Sequence, residues 1–227
     1  IRERDREEGS LILKDSVPSP ECTKAPWNHG EKRPFMKPSK AKEVHLLRYI
    51  LLLRGINVGG KHQVSMGELK ELLRAAGFEE VDSYINSGNL FFTSDESLDC
   101  CISKVACVLE NRYDFSIPFA LLTEEEFVQE RAALPDWWKG PLARRDVLFF
   151  SCHLDPSAVL AFVDAVALHH EILYVGKHAI FWGHYDESEF LKSAYHKKIM
   201  KQDFYKKITI RNGNTFEKIA DLLEKEG

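Results

Sequence analysis

The sequence predicts an α+β fold in which one βαββαβ unit occurs twice and each copy is followed by an extra helix. Strand-like and helix-like apolar spacings follow one another in the same order in two successive stretches. Helix-capping residues precede the helical stretches, and glycine-containing turns separate a pair of strands at the same place in each copy. This order is that of the ferredoxin-like, split-βαβ motif. We therefore predict a tandem duplication of a ferredoxin-like unit.

The first copy begins with an apolar strand that leads into a glycine-rich loop. Ser65 and Glu68 form a capping-box pair at the start of the helix that follows. Gly88 lies in the turn of the next strand pair, where a positive φ is often required. Thr123 is expected to be the N-cap of the extra helix. The predicted elements lie, in order, at residues 49–56, 66–76, 82–86, 89–93, 98–113, 117–122 and 124–133.

The second copy repeats this order. Asp155 and Pro156 supply an N-cap and a first helical residue for its first helix. Gly176 lies in the turn of its hairpin, and Asn214 with Glu217 is expected to cap the final helix. The predicted elements lie at residues 147–152, 155–166, 172–175, 179–182, 189–201 and 207–211, with the last helix after them.

The segment before the first strand differs in composition from the rest of the chain. Residues 1–47 are rich in charge and proline and have little periodic apolar content, so we predict a disordered extension. The chain does not begin with methionine, and we expect Met36, the first one present, to be the native start. The predicted subdomains are residues 48–134 and 146–227, joined by a connector at residues 135–145 that contains Trp137 and Trp138. We expect these two large aromatic side chains to pack between the subdomains.

Composition and charge limit the classes of function. The chain holds 31 Lys and Arg against 35 Asp and Glu; residues 1–47 contribute ten and eight of these, which leaves 21 against 27 in the folded part. An acidic body disfavours general binding of nucleic acid, which relies on phosphate neutralisation. Residues 192–211 are an exception because Asp203 is their only acidic residue. A secondary basic patch is predicted there, at Lys192, His196, Lys197, Lys198, Lys201 and Arg211.

The setting of the protein is predicted from cysteines and apolar runs. Five cysteines without a C-x-x-C pair favour reduced thiols and a cytoplasmic location. No apolar run approaches the length that a bilayer requires, and we expect no membrane partner. Residues 169–171 lack the spacing of a zinc site, and no cofactor motif is present, so we expect neither metal nor cofactor.

The glycine-rich loop at residues 54–61 is the strongest candidate site. It nearly matches the nucleotide-binding pattern G-x-x-x-x-G-K, but His62 stands where a magnesium-binding Ser or Thr is required, which excludes a nucleotide-hydrolysing P-loop. Arg54 and Lys61 favour an anion, and we expect replacement of either to change stability little because both should be exposed. Turn formation alone is the structural alternative for the hairpin residues. The predicted ligand-binding residues are Arg54, Gly55, Asn57, Gly59, Gly60, Lys61, Asn86, Ser87 and Asn89.

Topology predicts where these residues meet. In a ferredoxin-like sheet the first and third strands are central neighbours, so the end of the first lies beside the hairpin turn and the loop before the fourth. We therefore expect the candidate residues of the first copy to converge on one edge. The corresponding edge of the second copy would collect His153, Lys177, His178, Lys206 and Lys207.

Three segments resemble a known family. They are RGINVGGK at residues 54–61, YINSGN at residues 84–89 and TIRNGNT at residues 209–215. In this order and spacing they resemble the signatures of the uncharacterised bacterial family called domain of unknown function 1697, over residue 48 to the end of the chain. The resemblance implies a shared fold and carries no function with it.

Three classes of function remain open from the sequence. The first is a binder of a small phosphorylated or carboxylated molecule at residues 54–61. The second is a single-stranded nucleic-acid module, since RNA-recognition domains share the βαββαβ order, although the first strand has leucines where such modules carry base-stacking aromatics. The third is an enzyme, for which no catalytic set can be assembled. The sequence does not determine the oligomeric state.

Overall fold

The computed structural model describes residues 2–4, 46–85 and 87–226. A short strand β1 (Arg2–Arg4) comes first. The first half then contains β2 (Leu47–Leu53), α1 (Met66–Ala75), β3 (Glu79–Tyr84), β4 (Asn89–Ser94), α2 (Leu98–Arg112), β5 (Phe119–Thr123) and α3 (Glu124–Ala132). Its strands form an antiparallel sheet, the first sheet, in the order β3-β4-β2-β5.

The second half repeats this topology after a 3₁₀ helix at Asp136–Lys139. It contains β6 (Arg144–Phe150), α4 (Pro156–Ala165), β7 (Glu171–Val175), β8 (Ala179–His184), α5 (Ala194–Lys197), β9 (Ile208–Asn212) and α6 (Gly213–Glu226). Its sheet, the second sheet, has the order β7-β8-β6-β9, and β1 lies parallel to β7 at one edge. Each half therefore places its first and third strands at the centre, which confirms the predicted duplication of an α+β unit.

Three helix starts follow the predicted caps. Ser65 accepts a hydrogen bond from the amide of Glu68, Thr123 forms a complete capping box with Glu126, and Asp155 caps α4. The last helix differs from the prediction. Its cap is Asn212, whose side-chain oxygen accepts from the Thr215 amide at 2.7 Å. Asn214 was the wrong choice because the helix begins at Gly213, two residues before the start that a cap at Asn214 implies.

The single helix predicted over residues 189–201 is wrong. The structure has 3₁₀ turns at Glu187–Lys192, Ile199–Lys201 and Asp203–Lys207, with only the four-residue α5 between them. Ser193 interrupts the segment because its hydroxyl caps a new start by accepting from the His196 amide. The buried carboxylate of Glu171 also accepts the Ala194 amide and the Trp182 indole N–H. The hydroxyl of Ser193 and the carboxylate of Glu171 thus hold the segment in short turns.

A central core joins the two halves. We use this name for the cluster formed by the inner faces of both sheets together with α3, α6 and Trp138. Ile50 and Leu52 of β2 and Phe149 of β6 belong to it, and α3 packs against α6. Trp138 is almost fully buried and makes edge-to-face contacts with Phe181 and Phe216. The outer faces of the sheets pack on α1 and α2 in the first half and on α4 in the second.

The structure describes few residues of the range 1–47. Residues 2–4 form the edge strand β1, and Leu47 begins β2. The remaining residues of the predicted extension, including Met36, lie outside the described part of the chain, apart from residue 46. Within the described part, no helix combines the length and the apolar character needed to span a bilayer.

Candidate functional site

The three signature segments meet where the edges of the two sheets come together. Arg211 of β9 donates from Nη2 to the carbonyls of Leu53 and Gly88, at 3.0 and 3.1 Å. The Thr209 hydroxyl donates to the same Leu53 carbonyl at 3.1 Å. The end of β2, the turn before β4 and the last strand of the chain are thus linked by one hydrogen-bond network, which we call the junction network.

Arg211 is the centre of the junction network. Its Nε donates to the side-chain oxygen of Asn89, and its Nη1 donates to Thr209 Oγ1 and to the Ile210 carbonyl. Only 7% of Arg211 is exposed, and burial lowers its pKa to about 10. It stays charged at neutral pH, and no carboxylate in the described residues lies within ion-pair distance. The sequence grouped Arg211 with an exposed basic patch, whereas the structure places it in the interior.

Asn89 is also interior rather than open to a ligand. It is fully buried, and its side-chain nitrogen donates to the Tyr84 carbonyl at 3.1 Å and to Ser87 Oγ at 2.9 Å. Its oxygen is the acceptor for Arg211. The polar groups of its amide are therefore used inside the protein. Asn86, the other asparagine assigned to this edge, lies outside the described residues.

The glycine-rich loop is shaped by its own backbone requirements. Gly55, Gly59 and Gly60 have φ values of 68°, 60° and 74°, and a Cβ at any of them would meet no atom within 4 Å. Glycine is favoured at these positions because the backbone has a positive φ, and not because neighbouring atoms leave no room for a side chain. Asn57 closes the loop, since its side chain donates to the Val64 carbonyl at 3.0 Å and accepts from the Val64 amide at 2.8 Å.

The tip of the loop is the part that faces solvent. Val58 and Lys61 form an isolated antiparallel bridge across the Gly59–Gly60 turn, and both are exposed. Lys61 thus remains available to an anion, as does Ser87, which is exposed at the neighbouring turn. Of the predicted site, Lys61 and Ser87 are exposed at the surface, Asn57 is used to close its own loop, and Asn89 is buried in the junction network.

Arg54 connects the halves. Its guanidinium donates to the carbonyl of Ile208 in β9 and lies over the ring of Tyr205, with 4.8 Å between the guanidinium carbon and the ring centroid. Its backbone amide donates to the Pro118 carbonyl at 2.8 Å. The side chain is half-buried, which differs from the exposed position expected from the sequence.

We expect Arg54→Ala to lower the free energy of unfolding by about 1–3 kcal/mol, because it removes a charge-assisted hydrogen bond and a cation–π contact between the halves. Lys61→Ala is the matched control and should change stability by less than about 0.5 kcal/mol, since Lys61 is an exposed loop residue. Urea unfolding of both variants measures the difference. Equal stability of the two variants would show that the Arg54 contacts contribute nothing.

A cleft lies beside this loop, between the two halves, and we call it the interhalf cleft. Its volume is about 450 Å³. One wall comes from the end of α2 and the segment that leads into β5; the other comes from the residues after β6 and before β9. The ring of His62 in the loop stacks on Phe115 of the cleft at 4.4 Å. Its lining includes the apolar side chains of Leu109, Ile117 and Phe119 and the charged or titratable side chains of Glu110, Asp114, His153 and Lys207.

The second predicted edge divides between two places. His153 and Lys207 line the interhalf cleft, and His153 contacts the ring of Phe119 edge-on at 6.0 Å. His178 lies near α3 instead, where its backbone amide donates to buried Glu130 and its ring lies 3.6 Å from Glu126. Burial lowers the pKa of His178, which favours the neutral ring. Lys177 lies in the turn between β7 and β8, next to His178, and does not line the cleft.

Cys152 precedes His153 but offers no reactive thiolate. It is partly buried against the core of the first half, and burial raises its pKa to about 11. The residue therefore remains a thiol at neutral pH. No group of metal-binding side chains occurs in the described residues. Around the cleft, the described residues thus provide neither a reactive thiolate at Cys152 nor a cluster of metal-binding side chains.

The basic patch keeps its exposed lysines. Lys197, Lys198 and Lys201 are exposed, while Lys192 is paired with Glu189 at 2.8 Å and His196 is half-buried. Lys197 is the last residue of the four-residue α5 and Lys201 the last of the 3₁₀ turn Ile199–Lys201, so they do not share one long helix face. With Arg211 buried, the patch is smaller than the sequence predicted.

Residues 113–119, which supply one wall of the interhalf cleft, were not among the predicted site residues. That segment reads YDFSIPF, and two aromatic residues in a connection between a helix and a strand were the signal present. Tyr113 and Phe115 contact each other with their ring centroids 5.6 Å apart. Burial raises the pKa of Tyr113, which therefore stays protonated and neutral.

Comparison with known proteins identifies the family. A family described as "Protein of unknown function (DUF1697)" matches residues 46–181. The chain belongs to this family. The match includes the signature segments at residues 54–61 and 84–89, whereas the third segment lies beyond it. A comparison with curated proteins gave no match.

A solved structure is similar to a larger share of the chain than the family match covers. The conserved bacterial protein SP0830 from Streptococcus pneumoniae is 47% identical in sequence, with a TM-score of 0.76. The alignment covers 79% of this chain and 99% of that one. The DUF1697 fold of this chain is therefore shared by a solved bacterial structure across nearly the whole length of that protein.

Proposed function

We propose that this DUF1697 protein binds a small molecule with an apolar body and an anionic group in the interhalf cleft. The cleft carries the proposal because it is a concave site of about 450 Å³ between two halves, a size and a place typical of ligand pockets. The proposal keeps the class of ligand inferred from the sequence. It moves the main contact from the glycine-rich loop to the cleft beside it.

The apolar contact would come from the floor of the cleft. Leu109, Ile117 and Phe119 are buried side chains that line it, so a ligand placed there would remove further apolar surface from water. Each 100 Å² of apolar surface removed from water is worth about 2.5 kcal/mol before the costs of binding are subtracted. The floor therefore favours a ligand with a ring or a branched chain.

The anionic contact would come from Lys207 and His153. Lys207 is exposed at the mouth of the cleft, and no carboxylate of the described residues lies within ion-pair distance of it. The glycine-rich loop adds Lys61 near the same side of the molecule. Arg54, in contrast, supports the site from within by joining the halves.

Thermal shift and calorimetry with 3-phenylpropionate and phenyl phosphate test the proposal, with 3-phenylpropionamide as the neutral analogue. We expect the two anions to raise the melting temperature at millimolar concentration, since a ligand bound only by the folded state stabilises it. Lys207→Met should weaken the anions about two- to fivefold and leave the amide unchanged, while Lys201→Met, outside the cleft, should change neither. Equal binding of amide and anions, or no binding at all, would contradict the proposal.

A nucleic-acid interface is the second candidate, and the exposed Lys197, Lys198 and Lys201 favour it. The sheets themselves are unsuitable, because in the described residues both faces of each sheet are covered and Phe91 and Phe92 are buried. RNA-recognition domains stack bases on an open sheet face. Binding of a single-stranded oligonucleotide with a steep salt dependence, lost in the Lys197→Met/Lys198→Met/Lys201→Met variant and kept in Lys207→Met, would reverse the ranking.

A reduced, cytoplasmic setting is also proposed, because Cys100, Cys101, Cys107 and Cys152 are all free thiols. Mass spectrometry after thiol alkylation of protein isolated under acid quench would show all four alkylated. A disulfide among them in freshly quenched cells would contradict this setting.

A further inference from the structure

The two walls of the interhalf cleft carry opposite charge. Glu110, near the end of α2, and Asp114, just after it, lie on the wall of the first half. Lys207 and His153 lie on the wall of the second half. All four side chains are exposed, so they form a charged rim around an apolar floor.

The acidic wall has no internal cation to neutralise it. Arg112 is the nearest basic residue in sequence, but its guanidinium donates to both carboxylate oxygens of Glu68, at 2.6 and 3.0 Å. No basic side chain of the described residues lies within ion-pair distance of Glu110 or Asp114. The carboxyl end of a long helix also carries partial negative charge from its last carbonyls. This wall therefore favours a bound cation.

The two walls do not neutralise each other. No ion pair joins Glu110 or Asp114 to Lys207 or His153 in the described residues, so their charged atoms are more than 4.0 Å apart across the cleft. The floor between them is apolar. A molecule that bridges the gap would have to present a cation to one wall, an anion to the other and an apolar surface between them.

The geometry points to an amphoteric ligand: a small molecule with an ammonium group, a carboxylate or phosphate, and an apolar body, as in an apolar amino acid or a short apolar peptide. This inference rests on the proposed function and names the chemical class of its ligand. Glu110 and Asp114 receive the ammonium, Lys207 and His153 receive the anion, and the floor takes the apolar side chain. A simple anion would contact the basic wall and the floor but leave the acidic wall without a partner, and would therefore bind more weakly than an amphoteric molecule.

A series of blocked dipeptides separates the contributions. The probes are leucyl-phenylalanine, its N-acetyl form, its C-terminal amide and the form blocked at both ends, all with nearly the same apolar body. Calorimetry and thermal shift on the whole chain should rank the unblocked dipeptide at least fivefold tighter than either singly blocked form. The doubly blocked form should bind most weakly.

Paired variants assign each charge to a wall. In Glu110→Gln/Asp114→Asn the unblocked dipeptide should lose its advantage over the N-acetyl form, while the N-acetyl form binds at least as well as before. In Lys207→Met it should lose its advantage over the amide. Glu79→Gln, an exposed acidic residue in the edge strand β3, is the control and should change none of the ratios.

The outcomes distinguish this inference from the proposed function. If the N-acetyl form binds as tightly as the unblocked dipeptide, the amphoteric class is wrong and an anionic ligand stands. If the amide binds as tightly as the unblocked form and the N-acetyl form does not bind, the anionic ligand is wrong as well. If no member of the series and neither aromatic anion binds, both proposals fall.

Discussion

Arg211→Met should lower the free energy of unfolding by about 3–5 kcal/mol, the largest effect expected for any exchange of a charged residue described above. The variant removes five hydrogen bonds at one site, leaves the buried side-chain oxygen of Asn89 without a donor, and takes the charged donor away from the Leu53 and Gly88 carbonyls. Methionine fills much of the volume but supplies no N–H group. The loss therefore comes from unsatisfied polar groups rather than from a cavity.

Urea unfolding of Arg211→Met beside Lys198→Met measures this effect. Both variants delete one positive charge, yet Lys198 is exposed and should change stability by less than about 0.5 kcal/mol. Arg211→Lys adds a second comparison: it keeps the charge but cannot replace five donors, so it should also be destabilised. If Arg211→Met has the same free energy of unfolding as the wild type, the junction network does not hold the halves together.

Gly88→Ala should lower the free energy of unfolding by about 2–4 kcal/mol, because two penalties act together. Gly88 has a φ of 77°, which disfavours any side chain. A Cβ there would also lie 2.8 Å from Leu53 Cβ and 2.9 Å from a side-chain carbon of Ile56. The methyl group would push on the end of β2 where the Leu53 carbonyl accepts from Arg211.

Gly59→Ala separates the energetic cost of a positive φ from the cost of the steric clash. Gly59 has a φ of 60° but open space around the position of a Cβ, so only the backbone penalty of about 1 kcal/mol applies. Thermal and urea unfolding of both variants should therefore differ by at least about 1 kcal/mol. If the two variants are equally destabilised, backbone conformation alone accounts for the requirement for glycine at Gly88.

The fold was predictable because local signals agreed with one another. Ser65, Thr123 and Asp155 each started a helix at the expected residue, since an N-cap acts within one turn and needs no tertiary contact. The segment around Ser193 failed for the opposite reason. Its turns depend on the carboxylate of Glu171, which belongs to a strand more than twenty residues earlier. Periodicity within the segment contains no information about that contact.

The sequence predicted that several of the candidate residues lie close together, but it did not predict which of them are buried and which are exposed. The sequence placed Arg54 and Asn89 at one edge of the first copy, and the structure brings both into contact with the final strand of the second half, which the sequence did not predict. Burial decides their roles, and burial depends on how the halves pack. Arg211 has the sequence environment of a surface cation, yet its environment in the protein is five neutral acceptors. Residues 113–119 were not predicted because they form one wall of a cleft only when the halves pack and bring them opposite Lys207.

The junction network also bears on synthesis at the ribosome. The bond between Arg211 and the Leu53 carbonyl spans 158 residues, so the first half emerges long before its partner exists. At typical elongation rates of about 5–20 residues per second, this interval lasts on the order of ten seconds. During that time the inner face of the first sheet, with Ile50 and Leu52, lacks the cover that β6 and α6 later provide. During this part of synthesis, the nascent chain exposes an apolar surface to which holding chaperones can bind.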